Sequence, residues 1–226
     1  MNLAEMTQVL EERVVRAAEL ITAASDTEEY ALQTEGIVSQ IHDLIARFCD
    51  KEDRRVPEDQ RGTLLYRDKS TIREHLADFF VMNYEGRIIG SAGLLKHDAN
   101  GASNEEDNCL EIISLAVLPK YQHNGYGSEL FEIALAEAQA RGVDYVFALV
   151  NPAQIQYFEH KGFKIKDDGV PTPKMLSECA HCPRHPLNLR ISEMFNGKNS
   201  NGEKNGGANG MIYLCHFETV MEYRFR

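Results

Sequence analysis

The sequence predicts an α/β protein with a mixed sheet, and three observations lead to this fold class. Two β-type runs, residues 79–84 and 87–95, are joined by a Glu-Gly turn and predict a hairpin. A buried-type strand over 109–118 passes through a glycine loop into a helix over 125–140. A further strand, helix and strand follow over 143–163. Strands that alternate with helices in this way are typical of an α/β chain.

Composition limits the classes of function. The chain has 226 residues, 43% of them hydrophobic, which is enough for one large domain or one domain with an extension. A formal net charge of −11 argues against nucleic acid as a partner and leaves no polybasic membrane patch. No apolar run reaches the ~20 residues of a membrane helix, and residues 1–5 do not resemble a signal peptide. With five cysteines and no export signal, the sequence predicts a cytoplasmic protein.

The N-terminal segment carries a helical pattern. Apolar residues recur at steps of three, four and seven over residues 3–24, which predicts an amphipathic helix. Such a helix either packs on its own domain or mediates a homodimer. We therefore divide the chain into a helical extension, residues 1–27, and a main domain, residues 28–226.

The first part of the main domain is predicted to be mostly helical. A short strand fits residues 30–33, and Thr34 can cap a helix over about 35–49. Thr71, with Glu74 three residues later, forms a capping-box pattern that predicts a second, shorter helix.

The loop between the strand at 109–118 and the following helix has the chemistry of a phosphate site. Its sequence, Gln-His-Asn-Gly-Tyr-Gly over 122–127, opens a helix whose N–H groups and dipole favour an anion. Gly125 and Gly127 let a ligand approach the backbone without Cβ interference. A Walker loop is excluded because the lysine is missing, and a dinucleotide fingerprint is excluded because the third glycine is missing.

Two motifs at the proper spacing resemble one family. Leu-Ala-Val-x-Pro followed by Gln-x-x-Gly-x-Gly resembles the pyrophosphate loop of the GCN5-related N-acetyltransferase (GNAT) superfamily. Asn151, Ala153 and the run 158–163 resemble the family's later helix, Asn-x-x-Ala followed by Tyr-Glu-x-x-Gly-Phe. The order of elements also agrees, and the resemblance covers residues 28–166. For the loop alone, a glycine turn without a ligand is the alternative.

The resemblance implies a fold and a co-substrate. It implies a GNAT-type mixed, mostly antiparallel sheet, with a splayed central strand and flanking helices, that binds acetyl-CoA. By family position, the main chain of the central strand holds the pantetheine arm, and the Val117 N–H donates to the thioester oxygen. The implied cofactor-binding residues are Leu115, Ala116, Val117, Gln122, His123, Asn124, Gly125, Tyr126, Gly127, Ser128, Asn151 and Phe158.

The amine acceptor must lose a proton, and Glu111 is the predicted catalytic base. Glu111 and Val117 are the two predicted catalytic residues. The histone-type branch of the family carries its base glutamate at this spacing from the loop. A solvated carboxylate at a strand end is the alternative. Phe158 takes the place of the tyrosine that is the family's usual general acid, and Tyr157 should point about 100° away around the helix.

The phenylalanine at position 158 makes the sequence resemble the amino-acid N-acetyltransferases of the N-acetylglutamate synthase type. Leu64-Leu65-Tyr66-Arg67 and the following hairpin resemble segments of that group, as does Pro173-Lys174. The resemblance implies that Arg67 and Lys174 bind substrate carboxylates. Ordinary surface charge is the alternative for both residues.

The C-terminal part carries two further patterns. Cys179 and Cys182, with Cys215 about thirty residues away, could form a zinc site, but a thiol pair or plain loop cysteines fit better, so we predict no metal. The Asn/Gly-rich residues 196–210 are predicted to form a flexible loop, and 211–225 a terminal strand.

Together these observations predict an N-acetyltransferase that uses acetyl-CoA to acetylate a small-molecule amine. Glutamate or another amino acid is the leading substrate. The alternatives are a polyamine, antibiotic or protein amine, favoured by the acidic charge, and a non-catalytic acyl-CoA sensor, which the missing tyrosine leaves open.

Overall fold

A computed structural model of the chain describes residues 14–50, 52–96, 108–150, 154–165 and 219–225. These residues divide into two compact units. The first contains the described residues up to Lys96 together with 108–148 and 222–225. The second contains 149–150, 154–165 and 219–221. Among the described residues, no helix combines the length and the apolar character that crossing a bilayer requires.

Within the described residues, eleven β-strands and α-helices follow one another along the chain. In order they are β1 (Val14–Arg16), α1 (Glu28–Cys49), α2 (Lys69–Glu74), β2 (Phe79–Tyr84), β3 (Arg87–Lys96), β4 (Cys109–Val117), α3 (Tyr126–Ala140), β5 (Tyr145–Val150), α4 (Ile155–His160), β6 (Lys164–Ile165) and β7 (Thr219–Arg224). The predicted hairpin is confirmed as β2 and β3, and the predicted strand, loop and helix as β4 and α3.

The first unit is built on one twisted sheet. Strands β1 to β4 pair antiparallel in sequence order, with Val14 opposite Met82. Strand β5 joins β4 in parallel, with Leu110 opposite Val146. The sheet is therefore mixed and mostly antiparallel, which confirms the predicted fold class.

Helices cover the two faces of this sheet. On one face, α1 and α2 supply Ile41, Ile45 and Ile72 to a core cluster that includes Phe79 and Val81 of β2. Because side chains alternate along a strand, Phe80 points to the other face, and there α3 buries its apolar side. The residues that α3 buries are Leu130, Phe131, Ala134 and Ala138.

The helix predicted over 3–24 is wrong where the structure describes it. Val14–Arg16 is a strand, and Ala17–Leu20 is a single 3-10 turn. Val14 and Ala17 are buried, so their side chains pack at the sheet edge and in the core instead of forming one face of a helix. Residues 1–13 lie outside the described residues. The division of the chain at residue 27 stays a prediction.

The strand predicted at 30–33 is also wrong, because α1 begins at Glu28. Thr27 is the N-cap, and its hydroxyl accepts a hydrogen bond from the Tyr30 N–H at 3.1 Å. Thr34, predicted as the cap, lies inside the helix and donates its hydroxyl to the Tyr30 carbonyl at 2.7 Å.

Helix α2 is capped by Asp68 instead of Thr71. The Asp68 carboxylate accepts from the Thr71 N–H at 2.8 Å and from the Ser70 hydroxyl. The Ser70 hydroxyl and then the Thr71 N–H stabilise the ionised form and lower the pKa of Asp68 to about 2. The cap fixes the chain direction immediately after Arg67, which matters for the site described below.

The second unit contains a short helix closed by an aromatic contact. The Phe158 ring meets the Phe163 ring edge-to-face, with centroids 5.4 Å apart. The Phe163 N–H donates to the Phe158 carbonyl at 3.0 Å, and Gly162 between them has φ 88°. This confirms that α4 ends at the predicted Gly-Phe pair and leads into β6. The predicted loop at 196–210 lies outside the described residues, and β7 confirms a strand within 211–225.

Two glycines give opposite predictions for stability. A Cβ at Gly90 would lie 2.9 Å from Leu130 Cδ1 of α3 and 3.2 Å from the Ala116 carbonyl oxygen of β4, whereas a Cβ at Gly36 in α1 would meet nothing within 4 Å. We expect Gly90→Ala to lower the free energy of unfolding by about 1–3 kcal/mol. Gly36→Ala should raise it by about 0.5–1 kcal/mol. Urea denaturation measures both, and equal effects would contradict the close packing of α3 on β3.

The Asp68 cap predicts a pH-dependent stability. Because the folded pKa lies below the unfolded value, the contribution of the ionised cap is present above about pH 4 and is lost as pH falls toward 2. Asp68→Ala should cost about 1 kcal/mol at pH 7 and less at pH 3. Asp68→Asn is the matched control, because its amide oxygen accepts without titrating. A cost of Asp68→Ala that stays constant from pH 7 to pH 3 would show that the ionised carboxylate is not the cap.

Candidate functional site

The central feature of the first unit is that β4 leaves β5 partway along its length. Pairing between the two strands runs from Cys109↔Tyr145 to Glu111↔Phe147 and ends there among the described residues. On its other edge β4 stays paired with β3 as far as Val117. The end of β4 therefore has one edge in the sheet and one edge turned away from it, as expected for the splayed central strand.

A bulge lies in the middle of this open stretch. The register between β3 and β4 shifts between Ser91 and Gly93, and Ser114 has φ 55°, which is unusual for a residue with a side chain. The Ser91 hydroxyl donates to the Ser114 carbonyl at 3.0 Å and fixes the bulge. The Ser114 hydroxyl itself is buried and has no hydrogen-bond partner among the described residues. A buried orphan hydroxyl of this kind fits a site that receives a polar ligand.

The direction of the Val117 N–H follows from the ladder. The Leu118 N–H donates to the Ile89 carbonyl at 2.8 Å, and Val117 lies opposite Gly90. Because hydrogen-bonding groups alternate along an antiparallel strand, the N–H and C=O of Val117 point away from β3. The Val117 carbonyl accepts from Gln122 Nε2 at 2.8 Å, in agreement with this direction.

The loop from Gln122 to Ser128 opens α3 with a geometry that suits an anion. Gly125 is the N-cap with φ 84°, a conformation that favours glycine, and as a glycine it supplies no capping side chain. The first N–H groups of α3 point out of the helix end, where the dipole favours an anion. His123, Asn124 and Gly125 are exposed around this end.

The side chains of Gln122 and Asn124 shape this loop from within. Asn124 Nδ2 donates to the Tyr121 and Gln122 carbonyls at 3.2 and 3.0 Å. Gln122 exchanges two hydrogen bonds with Gln60, which lies 62 residues earlier in the chain. The amide nitrogens of both side chains are thus bound to protein acceptors.

The predicted base and a predicted carboxylate-binding residue lie together. Arg67 Nη2 is 4.0 Å from Glu111 Oε1, and the two side chains are only 10% and 2% exposed. Glu111 is the last β4 residue that pairs with β5. The pair therefore lies at the point where the two strands part. The resemblance to the family predicted both residues but gave no indication that they form a pair.

The structure adds groups that sequence reasoning missed. His42 Nε2 lies 3.0 Å from the Tyr66 hydroxyl, and His42 Nδ1 lies 3.2 Å from Asp43 Oδ1. Tyr66, which ends this series of polar groups, immediately precedes Arg67 in the sequence. Gln60 and Ser114 were also missed, because an isolated glutamine in a charged loop and a serine inside a strand carry no motif.

Some predicted residues fall outside this geometry. Asn151 and Lys174 lie outside the described residues, as do Cys179, Cys182 and Cys215. Phe158 lies in the second unit, where its side chain is buried against Phe163. Within the described ranges, no group of three or more His, Cys, Asp or Glu side chains is placed to bind a metal ion.

Comparison with known proteins identifies the family. Residues 39–163 match the model of the Acetyltransferase (GNAT) family. An uncharacterized N-acetyltransferase of Chlorobaculum tepidum is 32% identical over 123 residues, which cover 54% of this chain and 73% of that protein. An amino-acid acetyltransferase of Neisseria meningitidis serogroup A is 29% identical over 116 residues, 51% of this chain. The matched part spans only 25% of that enzyme's length.

Solved structures share the fold. N-acetylglutamate synthase from Neisseria gonorrhoeae, complexed with coenzyme A and N-acetyl-glutamate, has a TM-score of 0.51 at 21% identity, over 84% of this chain and 33% of that one. A Mycobacterium tuberculosis protein in complex with CoA and NLQ has a TM-score of 0.52 at 18% identity, over 85% of this chain and 96% of that one. At these identities the likeness concerns the fold alone.

The splayed β4, the bulge at Ser114 and the glycine-capped α3 follow one another in the segment that the family model covers. The chain belongs to the Acetyltransferase (GNAT) family and contains an acetyl-CoA-dependent N-acetyltransferase domain of that type.

Proposed function

We propose that this chain acetylates the amino group of a small-molecule substrate, namely an amino acid, with glutamate as the leading acceptor. The observation that carries the proposal is the buried pair of Arg67 and Glu111 at the parting of β4 and β5. The similarity to enzymes named amino-acid acetyltransferase also supports this substrate class.

A buried pair of opposite charges suits a zwitterion. Removing a guanidinium and a carboxylate from water is costly, and a pair of this kind gives little net stability to a fold. An α-amino acid carries a carboxylate and an ammonium two bonds apart, so it can offer each protein group a partner of opposite charge. The Arg67 guanidinium can hold the carboxylate through two parallel hydrogen bonds. Glu111 can then accept a hydrogen bond from the ammonium.

The same arrangement gives Glu111 a role in proton transfer. The attacking amine must be neutral, and a carboxylate that accepts from the ammonium can also take its proton, directly or through one water. We assign the base to Glu111 and carboxylate binding to Arg67.

The remaining residues fit acetyl-CoA, which supplies an activated thioester carbonyl. The Val117 N–H points from the open edge of β4 and is our candidate donor to the carbonyl oxygen. The N–H groups of the loop from Gln122 to Ser128 hold the diphosphate. Phe158 carries no proton to donate, so the thiolate leaves without an acid at that position, which its low basicity allows.

The function is tested by measuring CoA release from acetyl-CoA with L-glutamate, other amino acids and spermidine as acceptors. We expect turnover with an amino acid and little with spermidine. Arg67→Lys should raise the KM of the amino acid about tenfold or more, because the ammonium cannot form the two parallel bonds, and should leave the KM of acetyl-CoA nearly unchanged.

Arg73→Lys is the matched control, because Arg73 pairs with Glu35 on an exposed surface of α1 and α2. It should leave both KM values unchanged. Turnover only with amines that lack a carboxylate would exclude the amino-acid substrate and keep the enzyme class. Tight binding of acetyl-CoA without turnover of any amine would instead support the acyl-CoA sensor.

Glu111→Gln tests the base separately. We expect kcat to fall about 10²–10⁴-fold, since general-base catalysis contributes this much, while CoA affinity measured by calorimetry stays close to that of the wild type. Glu132→Gln, on an exposed position of α3, is the control. A kcat that Glu111→Gln leaves unchanged, in a variant with native unfolding behaviour, would remove Glu111 from the mechanism.

A further inference from the structure

We propose that Gln60 is a positioning residue that couples the loop for the diphosphate to the segment that carries Arg67. The inference rests on the proposed function in one respect, namely that acetyl-CoA binds at the loop from Gln122 to Ser128. It adds a residue, Gln60, that no motif indicates. The consequence is that binding of acetyl-CoA at the loop orders the segment that carries Arg67.

The physical link is a reciprocal pair of amides. Gln122 Nε2 donates to Gln60 Oε1 at 2.8 Å, and Gln60 Nε2 donates to Gln122 Oε1 at 3.0 Å. Gln122 Nε2 also donates to the Val117 carbonyl, which can only accept, so the orientation of the Gln122 amide is fixed. The orientation of the Gln60 amide follows from it. The pair therefore joins the end of β4, the loop and Gln60 in one defined arrangement.

Gln60 in turn is tied to the chain that leads to Arg67. It closes the 3-10 turn Glu58–Gln60, and its carbonyl accepts from the Thr63 hydroxyl at 2.8 Å. The Thr63 N–H donates to the Phe48 carbonyl near the end of α1 at 3.0 Å. The Leu64 carbonyl accepts from Cys49 Sγ at 3.2 Å. The segment 60–67 is thus held against α1 at two points between the amide pair and Arg67.

These contacts form a closed circuit around the site. From Val117 the path runs through Gln122 and Gln60 along the segment to Arg67, and Arg67 returns to β4 at Glu111. A ligand that restrains the loop main chain also restrains the Gln122 side chain, because Gln122 is part of that loop. The Gln122 amide nitrogen donates to Gln60 and to the Val117 carbonyl. The restraint then reaches segment 60–67 through two hydrogen bonds. Binding that orders the segment in this way lowers the entropy cost of the second ligand.

A purely structural role for Gln60 predicts something different. If the amide pair only held the loop in shape, its loss would weaken CoA binding without changing how CoA and the amino acid influence each other. A coupling role predicts that both ligands still bind after substitution but that their mutual effect disappears. Because coupling is reciprocal, either ligand can report it.

The test compares the wild type with Gln60→Met, which keeps the side-chain length and removes both hydrogen bonds. Amide hydrogen exchange over residues 61–67 is measured with and without CoA, with the Thr63 N–H as reporter. The affinity for L-glutamate is measured by calorimetry with and without CoA. In the wild type we expect CoA to slow exchange in this segment and to raise glutamate affinity about five- to tenfold. In Gln60→Met we expect both effects to fall toward none.

Two further variants separate coupling from general damage. Gln60→Glu keeps an oxygen that accepts from Gln122 Nε2, so it should restore part of the CoA effect on segment 61–67. Gln139→Met, at an exposed position of α3, should behave as the wild type. A CoA effect of wild-type size in Gln60→Met, or no CoA effect in the wild type, would overturn the proposal while leaving the transferase assignment intact. Failure of the wild type to bind CoA would overturn the loop assignment and this inference together.

Discussion

The site depends on one constraint, the parting of β4 from β5 at Glu111. Pairing with β3 continues along β4 to Val117, while pairing with β5 ends six residues earlier, at Glu111. Backbone groups that a full sheet would use for pairing are thereby turned toward the space where a thioester can lie. The bulge at Ser114 lies within this stretch, and the loop that opens α3 follows it. A sheet with complete pairing would satisfy these groups internally and leave no donor for a ligand.

The position of Glu111 at this point has a second consequence. Glu111, the last residue of β4 that pairs with β5, is buried, so its carboxylate needs a cation, and Arg67 meets it from the segment before α2. The Asp68 cap then fixes the helix that begins immediately after Arg67. The fold thus places Glu111 on a strand of the sheet and Arg67 directly before the N-cap of a helix. Accurate placement of two charges is what the proposed amino-acid substrate requires for orientation.

Local signals explain which parts could be predicted from sequence. The hairpin of β2 and β3 and the passage from β4 to α3 depend on turn residues and periodicity within short windows, and both were confirmed. Val14 and Ala17 also repeat at helical spacing, but pairing with β2 overrides that pattern, and a three-residue strand has no signature of its own. The Arg67–Glu111 and Gln60–Gln122 pairs join residues far apart in the chain. Sequence could suggest three of these four residues separately, but only the fold brings them into contact.

The phenylalanine at position 158 and the hydrogen-bonded path through Gln60 both bear on which step of the proposed reaction the protein assists most. Phe158 packs against Phe163, and a phenylalanine side chain has no proton to donate. A thiolate tolerates this loss, but an ammonium cannot attack until it is deprotonated. Under the proposed function the demanding step therefore lies on the amine side, where Glu111 and Arg67 must be placed accurately relative to the thioester. The hydrogen bonds between Gln60 and Gln122 would meet that demand under the proposed coupling, because the segment that carries Arg67 would then be ordered once acetyl-CoA is in place.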